Sequence, residues 1–340
     1  IPTVSVISNS LLVLLSGNLV SCFHPMLAVS IGLNSNGKRD IKFVAGLTEW
    51  ESYPPNARLK IPCGRCVGCR LERSRQWANR CMLELQYHES SFFVTLTYDD
   101  EHVPVTYYSE NDDGEARSGL TLRARDLQLF LKRLRKEHSY ERLRFFACGE
   151  YGSTTYRPHY HAIIFGLTLD DLRPYKRSPQ NYDYFISDSL TKCWGLGYVV
   201  VGAVTWETCA YTARYIMKKA LGEGAEVYNR FNIEPEFVRM SRKPGIAYQY
   251  YADHPDLYQY EYINLPTDKG QLKFRPPRYY DRLFDVDNPD QMVKIKAKRQ
   301  HAALVDAYNK SLQTSLIEPD RLAVEEAALT ARIKSLERKL

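Results

Sequence analysis

The stretch YRPHYHAIIFG, residues 156–166, places His159 and His161 one residue apart, just ahead of an apolar run. Alternate side chains of a strand share a face, so both imidazoles point the same way and lie close enough to share one ion. A lone strand histidine is ordinarily a hydrogen-bonded bystander, and that reading stays open for the pair. Glu150 precedes His159 across the turn-rich STTYR. If the flanking runs form an antiparallel hairpin, its carboxylate joins the histidine face. Two imidazoles and a carboxylate with open positions suit Mg2+ or Mn2+ working on a phosphate, and also Zn2+ or Fe2+. A hydrolase of the H-x-H-x-D type needs Asp where Ile163 stands. A cupin needs Glu soon after the pair, and AIIFGLTL has none, so both are excluded.

A second constellation is AYTARYIMKK, residues 210–219. On a helix, Tyr211 and Tyr215 share a face, about 5–6 Å apart at Cβ. Arg214 follows Tyr211 by three and Lys218 follows Tyr215 by three, so each phenol has a cation on its own side. Paired aromatics at this spacing are commonly core, and a Lys-Lys end is commonly solvated. The functional alternative is a phenol attacking a phosphodiester while a metal polarises the phosphate and a nearby cation offsets its charge.

A third is Cys63-Gly-Arg-Cys66-Val-Gly-Cys69. With Cys81 or His88 as fourth ligand these thiols suit a structural Zn2+; buried or free thiols are the alternative. Arg65, Arg70, Arg73, Arg75 and Arg80 cluster in the same segment and suit contacts to a DNA backbone. Trp77 reads as core.

These residues need elements to position them. The run SFFVTLTYDD is strand-like, RLRFFACGEYG and PHYHAIIFG form a predicted hairpin, and GYVVVGAVT is a further strand. Helices are predicted around Trp77, Cys81 and Leu85, and in ARDLQLFLKRLRKEHS, where Leu127, Phe130, Leu131 and Leu134 make an apolar stripe. Lys132, Arg133, Arg135 and Lys136 fall mostly off that stripe and read as a solvated basic face, with a DNA-backbone contact as the alternative. ETCAYTARYIMKKALG is a helix closed by Gly222. The stretches 109–119 and 170–187 read as loops, and the region after residue 223 as irregular up to KFRPPRYYD. Residues 291–340 read as a helical tail. Interleaved strands and helices with an antiparallel pair predict an α+β fold, a central antiparallel sheet flanked by helices.

The bulk numbers fit this picture. The 340 residues are 44% hydrophobic and 25% charged, which excludes wholesale disorder. A net charge of +6 permits nucleic-acid binding without requiring it. A chain this long needs no disulfide staples, so its eight cysteines favour a reducing, cytosolic setting. Residues 1–21 carry no charge but lack a basic leader region and are broken by Ser, Asn and Gly, so they read as a translated extension ahead of Met26. An edge strand and a membrane segment are the alternatives.

FVTLTY, PHYHAIIFG and YTARYIMKK, in that order, resemble the three motifs of rolling-circle replication initiators of the HUH endonuclease superfamily. CFHP, PCGRCVGCRLERSRQWANRCM, FVTLTYDDEHVP, FFACGEYGSTTYRPHYHAIIFG, AYTARYIMKK, MSRKPGIA and RPPRYYD resemble more closely the replication initiators of microviruses of the gokushovirus group. The resemblance covers about residues 22–290, which it implies form the endonuclease domain, a ferredoxin-like sandwich; residues 1–21 look foreign to it.

The resemblance implies a nickase that uses Mg2+ or Mn2+, held by His159 and His161 with Glu150 as third ligand. Tyr215, in the Y-x-x-K form with Lys218, is the first-choice nucleophile and Tyr211 the second, which allows alternating attack and rejoining. If Arg214 substitutes poorly for Lys, Tyr211 positions DNA instead. Arg214, Lys219, Arg70 and Arg73 are the expected DNA contacts. The implied product is a 5′-phosphotyrosine link and a free 3′-OH on single-stranded origin DNA in the host bacterial cytoplasm. A host polymerase and, since no Walker loop is present, a host helicase are the implied partners, with no membrane role. The rival readings are an origin-binding protein with a structural metal and a metal-stabilised domain with no DNA role. Both tyrosines and the basic segments favour the enzyme.

Overall fold

The computed structural model describes residues 22–35, 39–109, 115–152, 155–177, 182–218, 222–267 and 270–337, apart from the side chains of 214–218, 222–223 and 334–337. Residues 1–21 and Lys219 lie outside the described residues. The chain divides into two compact units, one of residues 73–297 and one combining residues up to Glu72 with Lys298–Ser335. The Cys63–Cys69 segment therefore groups with C-terminal helical residues.

The smaller unit opens with β1 (Met26–Leu33), β2 (Arg39–Phe43), the short α1 (Leu47–Glu51) and β3 (Arg58–Ile61). β1 is central in an antiparallel sheet of order β2-β1-β3. The Trp50 indole donates to the Ala28 carbonyl at 3.0 Å, fixing α1 on the sheet. α2 (Val67–Leu85) follows.

The larger unit continues with β4 (Ser91–Tyr98), β5 (Val105–Tyr108), β6 (Arg117–Leu120), α3 (Ala124–Glu137), β7 (Arg144–Tyr151) and β8 (Pro158–Phe165). Next come β9 (Arg173–Arg177), β10 (Asp183–Ile186), α4 (Asp188–Trp194), β11 (Gly197–Ala203) and α5 (Trp206–Lys218). Then follow α6 (Glu226–Arg230), β12 (Phe237–Met240), α7 (Tyr248–Asp253), β13 (Ile263–Thr267), β14 (Gly270–Phe274) and α8 (Arg278–Asp287). α9 (Pro289–Leu312) and α10 (Glu318–Glu337) end the chain, so the expected helical tail is present. Among the described residues, no helix is long and apolar enough to cross a membrane.

The expected central antiparallel sheet has seven strands in the order β12-β7-β8-β4-β11-β10-β9. β8 lies near its middle and is buried along its whole length, which is why its sequence turns continuously apolar after the histidines. On one face, Val94, Leu96, Tyr160, Ala162 and Ile164 pack with Leu127, Phe130, Leu131 and Leu134 of α3 and with Trp194 of α4. The predicted stripe of α3 is thus the buried one. On the other face, Trp77 of α2 stacks on Phe146 at 4.9 Å, and Ser74 Oγ donates to the Ala210 carbonyl of α5 at 3.0 Å. Gly197 starts β11 at φ +142°, where a Cβ would stand 2.4 Å from Asp99 N and Thr97 O, so only glycine permits this close strand approach.

Several expectations are corrected. The stretch 170–187 contains the edge hairpin β9–β10, and part of 109–119 forms β6 against β5. The region after residue 223 contributes β12 to the sheet and the hairpin β13–β14. These strands are only four or five residues long, too short to show a clear period, and pairing with a formed neighbour decides them. Arg133 does not belong to a free basic face: its guanidinium donates to the carbonyls of Cys193 (2.5 Å) and Trp194 (2.6 Å), satisfying the C-terminal end of α4. Arg80 is buried between the rings of Trp77 (4.2 Å) and Tyr279 (3.9 Å) and donates to the Ile246 carbonyl at 2.8 Å, so it faces no DNA.

Two stretches that carried the resemblance converge on α2. In MSRKPGIA, Ala247 N–H donates to Glu84 at 2.5 Å, and the Pro244 carbonyl accepts from Arg144 at 3.0 Å. In RPPRYYD, Tyr280 OH donates to the Ala247 carbonyl at 2.7 Å. Burial of these groups with their partners makes the two stretches parts of the scaffold.

Candidate functional site

β7 and β8 pair so that Glu150 stands opposite His159 and Cys148 opposite His161. Cross-strand partners share a face, and His161 lies two residues along from His159, so all three side chains converge. His159 Nε2 is 2.6 Å from Glu150 Oε1 and His161 Nε2 is 3.1 Å from the same oxygen. The three offer ligand atoms within 4.8 Å of one another, and all three residues are buried.

The imidazoles are oriented from behind. His159 Nδ1 is 3.1 Å from the Arg157 carbonyl, and His161 Nδ1 is 3.0 Å from Thr95 Oγ1 on β4. Phe93 stacks on His161 at 5.5 Å with an interplanar angle of 10°. A carbonyl can only accept, so His159 Nδ1 carries a proton. Its Nε2 then faces the Glu150 carboxylate oxygen, so nitrogen and oxygen point at one place where a cation would be held. Burial by itself would raise the Glu150 carboxyl, but hydrogen bonds from His159 and His161 and their charge hold it at about 2. It stays ionised throughout the neutral range, as a hard-cation ligand must. Two oriented imidazoles and one anionic oxygen fit a divalent metal, and the partners behind the rings are those that metal-binding histidines use.

α5 carries the tyrosines. Thr205 and Thr208 cap its start reciprocally: Thr208 N–H donates to Thr205 Oγ1 at 3.2 Å and Thr205 N–H to Thr208 Oγ1 at 2.9 Å. Trp206 Nε1 donates to Asn79 Oδ1 of α2 at 3.0 Å. The Tyr211 ring then lies edge-on to His161, 5.1 Å between centroids, and 6.3 Å from Phe93. β11 ends where Ala203 pairs with Phe92, and Phe92 with Ile164, so α5 runs from the Ile164 end of β8 toward the histidines. Tyr215 lies four residues, about 6 Å of helix rise, beyond Tyr211. The side chains of Arg214, Tyr215 and Lys218 lie outside the described residues.

The structure rearranges the cysteine set. Cys63, Cys66 and Cys69 come together with Cys22, their sulfurs within 4.8 Å of one another. Cys81 is elsewhere, fully buried with its thiol hydrogen-bonded to Cys209, and His88 pairs with Glu84 at 3.2 Å. Both were chosen for closeness in sequence, whereas the first turns of α2 carry them away from the knuckle. Of the other expected DNA contacts on α2, Arg73 is exposed and Arg70 half-buried. The sequence reading also passed over Thr95, Phe93 and Arg157. The period-two pattern of FVTLTY, set beside PHYH, carries the signal for the first two.

Fold and site together define an α+β protein with a buried two-histidine, one-carboxylate cluster beside a tyrosine-bearing helix. Residues 91–220, which hold that cluster and helix, match the family model "Replication-associated protein ORF2/G2P". The chain is 32% identical over 284 residues to replication-associated protein ORF2 of Spiroplasma virus 4, covering 82% of this chain and 85% of that protein. It is 28% identical over 286 residues to replication-associated protein VP4 of Bdellovibrio phage phiMH2K, covering 82% and 81%. Replication-associated protein ORF4 of Chlamydia phage 1 matches at 31% over 166 residues, 47% and 38% of the two chains. No solved structure matches. The chain belongs to the replication-associated proteins of the microviruses.

Proposed function

We propose that this protein initiates rolling-circle replication by nicking and rejoining single-stranded origin DNA through a tyrosine. The observation that carries the reading is the convergence of Glu150, His159 and His161 on one point, with the Tyr211 ring 5.1 Å from that of His161. Glu150, His159 and His161 would hold Mg2+ or Mn2+, which when bound polarises a phosphate and offsets its charge. The tyrosine oxygen forms a bond to the scissile phosphorus as the bond to the 3′ oxygen breaks. The 5′ phosphate stays on the protein, and the 3′ oxygen leaves as a free hydroxyl that a host polymerase can extend. Tyr215, one turn beyond Tyr211 on α5, makes the first attack, and Lys218 offsets charge. Tyr211, beside His161, makes the second attack that closes the circle. Arg214, Lys219, Arg70 and Arg73 hold the strand through its phosphates.

A second reading is favoured by one observation: the His159–Glu150–His161 cluster is hydrogen-bonded within itself and buried, as a structural site would be. On that reading the protein binds origin DNA without cutting it. A labelled single-stranded oligonucleotide from the cognate origin, incubated with Mn2+ or Mg2+, separates the two. The nickase forms a covalent protein–DNA adduct that survives denaturing electrophoresis; binding without adduct leaves the second reading. Tyr211→Phe combined with Tyr215→Phe abolishes the adduct, and its persistence would overturn the nucleophile assignment.

A further inference from the structure

We propose that Cys22, Cys63, Cys66 and Cys69 form a tetrathiolate site for a structural Zn2+ that holds the smaller unit together. In a tetrahedral site with Zn–S of about 2.3 Å, the sulfurs stand about 3.8 Å apart. Here all four lie within 4.8 Å of one another, with Cys22 and Cys66 at 4.0 Å, and all four are free thiols. The ligands come from three places: the segment before β1, the turn after β3 and the first turn of α2.

The backbone around them is arranged for sulfur anions. Gly64 adopts φ +74° and folds Cys63–Cys66 into a tight knuckle. The amides of Arg65 and Cys66 both donate to Cys63 Sγ at 3.4 Å. Those of Phe23 and Cys69 donate to Cys66 Sγ at 3.4 Å, and that of Cys63 to Cys22 Sγ at 3.2 Å. A thiol sulfur is a weak acceptor, so five amides aimed at three sulfurs fit metal-bound thiolates far better than buried thiols.

The unit also needs such a centre. Its described buried cluster consists of Phe23, Cys66 and Leu322, with Cys22, Cys63, Val67, Cys69 and Leu329 packed around it. β2 is exposed along its length and β1 buries only Ala28 and Val29. So little apolar burial does not offset the entropy of ordering the chain, which is the situation in which small units use a structural metal.

The test uses full-length protein, purified without chelator for metal analysis and also produced with Co2+ in place of zinc. Expected are one zinc per chain that survives the His159→Ala/His161→Ala double variant, and a cobalt form with thiolate-to-cobalt charge-transfer bands and tetrahedral visible bands. Cys22→Ser loses or shifts those bands, and Cys81→Ser leaves them unchanged. If Cys22→Ser does not fold, the wild-type cobalt spectrum alone decides. The proposal is overturned by absent zinc, by cobalt without thiolate bands, by dependence on Cys81 instead of Cys22, or by fewer than eight thiols in the denatured, unreduced chain. Because zinc retention is read in the double histidine variant, failure here leaves the nickase reading untouched, and the reverse holds.

Discussion

Glu84→Gln isolates the charge on which α2, β7 and the segment ending at Ala247 converge. Glu84 is 4% exposed, and its carboxylate accepts from Arg144 Nε, from Ala247 N–H at 2.5 Å and from His88 Nε2 at 3.2 Å. Burial by itself would raise its carboxyl, but bonds from His88 and Ala247 and the Arg144 charge outweigh that and hold it below the ordinary value of 4.5. Removing one member of a buried ion pair costs about 3–5 kcal/mol. Glutamine keeps an acceptor for Ala247, and Arg144 keeps the Pro244 carbonyl, so the expected loss is about 2–3 kcal/mol. For a unit of this size that is a fall in Tm of about 5–10 °C. The folded carboxyl is depressed, so its contribution is fully present above pH 4.5 and is lost as pH falls through the lower folded value. Urea unfolding of wild type and variant from neutral pH downward measures this. The two stabilities converge in acid. A difference under about 0.5 kcal/mol at neutral pH, or one that persists unchanged in acid, refutes the reasoning.

Other perturbations give distinct outcomes. Arg133→Ala frees the last carbonyls of α4 and lowers stability by about 1–3 kcal/mol in chemical denaturation. Gly197→Ala forces a Cβ into the Thr97–Asp99 backbone, and the sheet responds with a loss above about 3 kcal/mol, seen as a large Tm drop or insoluble protein. Mn2+ raises the wild-type Tm in a concentration-dependent way, by about 2.7 kcal/mol of stabilisation at a hundredfold excess over Kd, and His161→Ala loses that shift. Thr205→Ala removes a cap of α5 and costs about 1 kcal/mol; with the tyrosines less well held, adduct formation slows although neither phenol is altered.

How far the sequence reading carried depends on the range of the interactions involved. The β7–β8 hairpin and its histidine face were legible because strand alternation and a short turn set the register locally, so Glu150 could be matched to His159 before any coordinates. The stripe of α3 was legible for the same reason at helical period. The short strands β9, β10 and β12 were not, because four or five residues are too few to show a strand period and become a strand only when a formed partner stands beside them.

By itself, then, the sequence determined the local periodic features: the paired histidines, the tyrosines at helical spacing, the Cys-x-x-Cys knuckle and the α+β alternation. Tertiary structure decided which of these meet. It set Tyr211 beside His161, drew Cys22 rather than Cys81 to the knuckle across a separation of 41 residues, and turned Arg80 and Arg133 from candidate surface charges into supports. The physical reason is that side-chain period and turn chemistry act over a few residues, whereas the partner of a buried charge or sulfur is chosen by packing between segments distant in the chain.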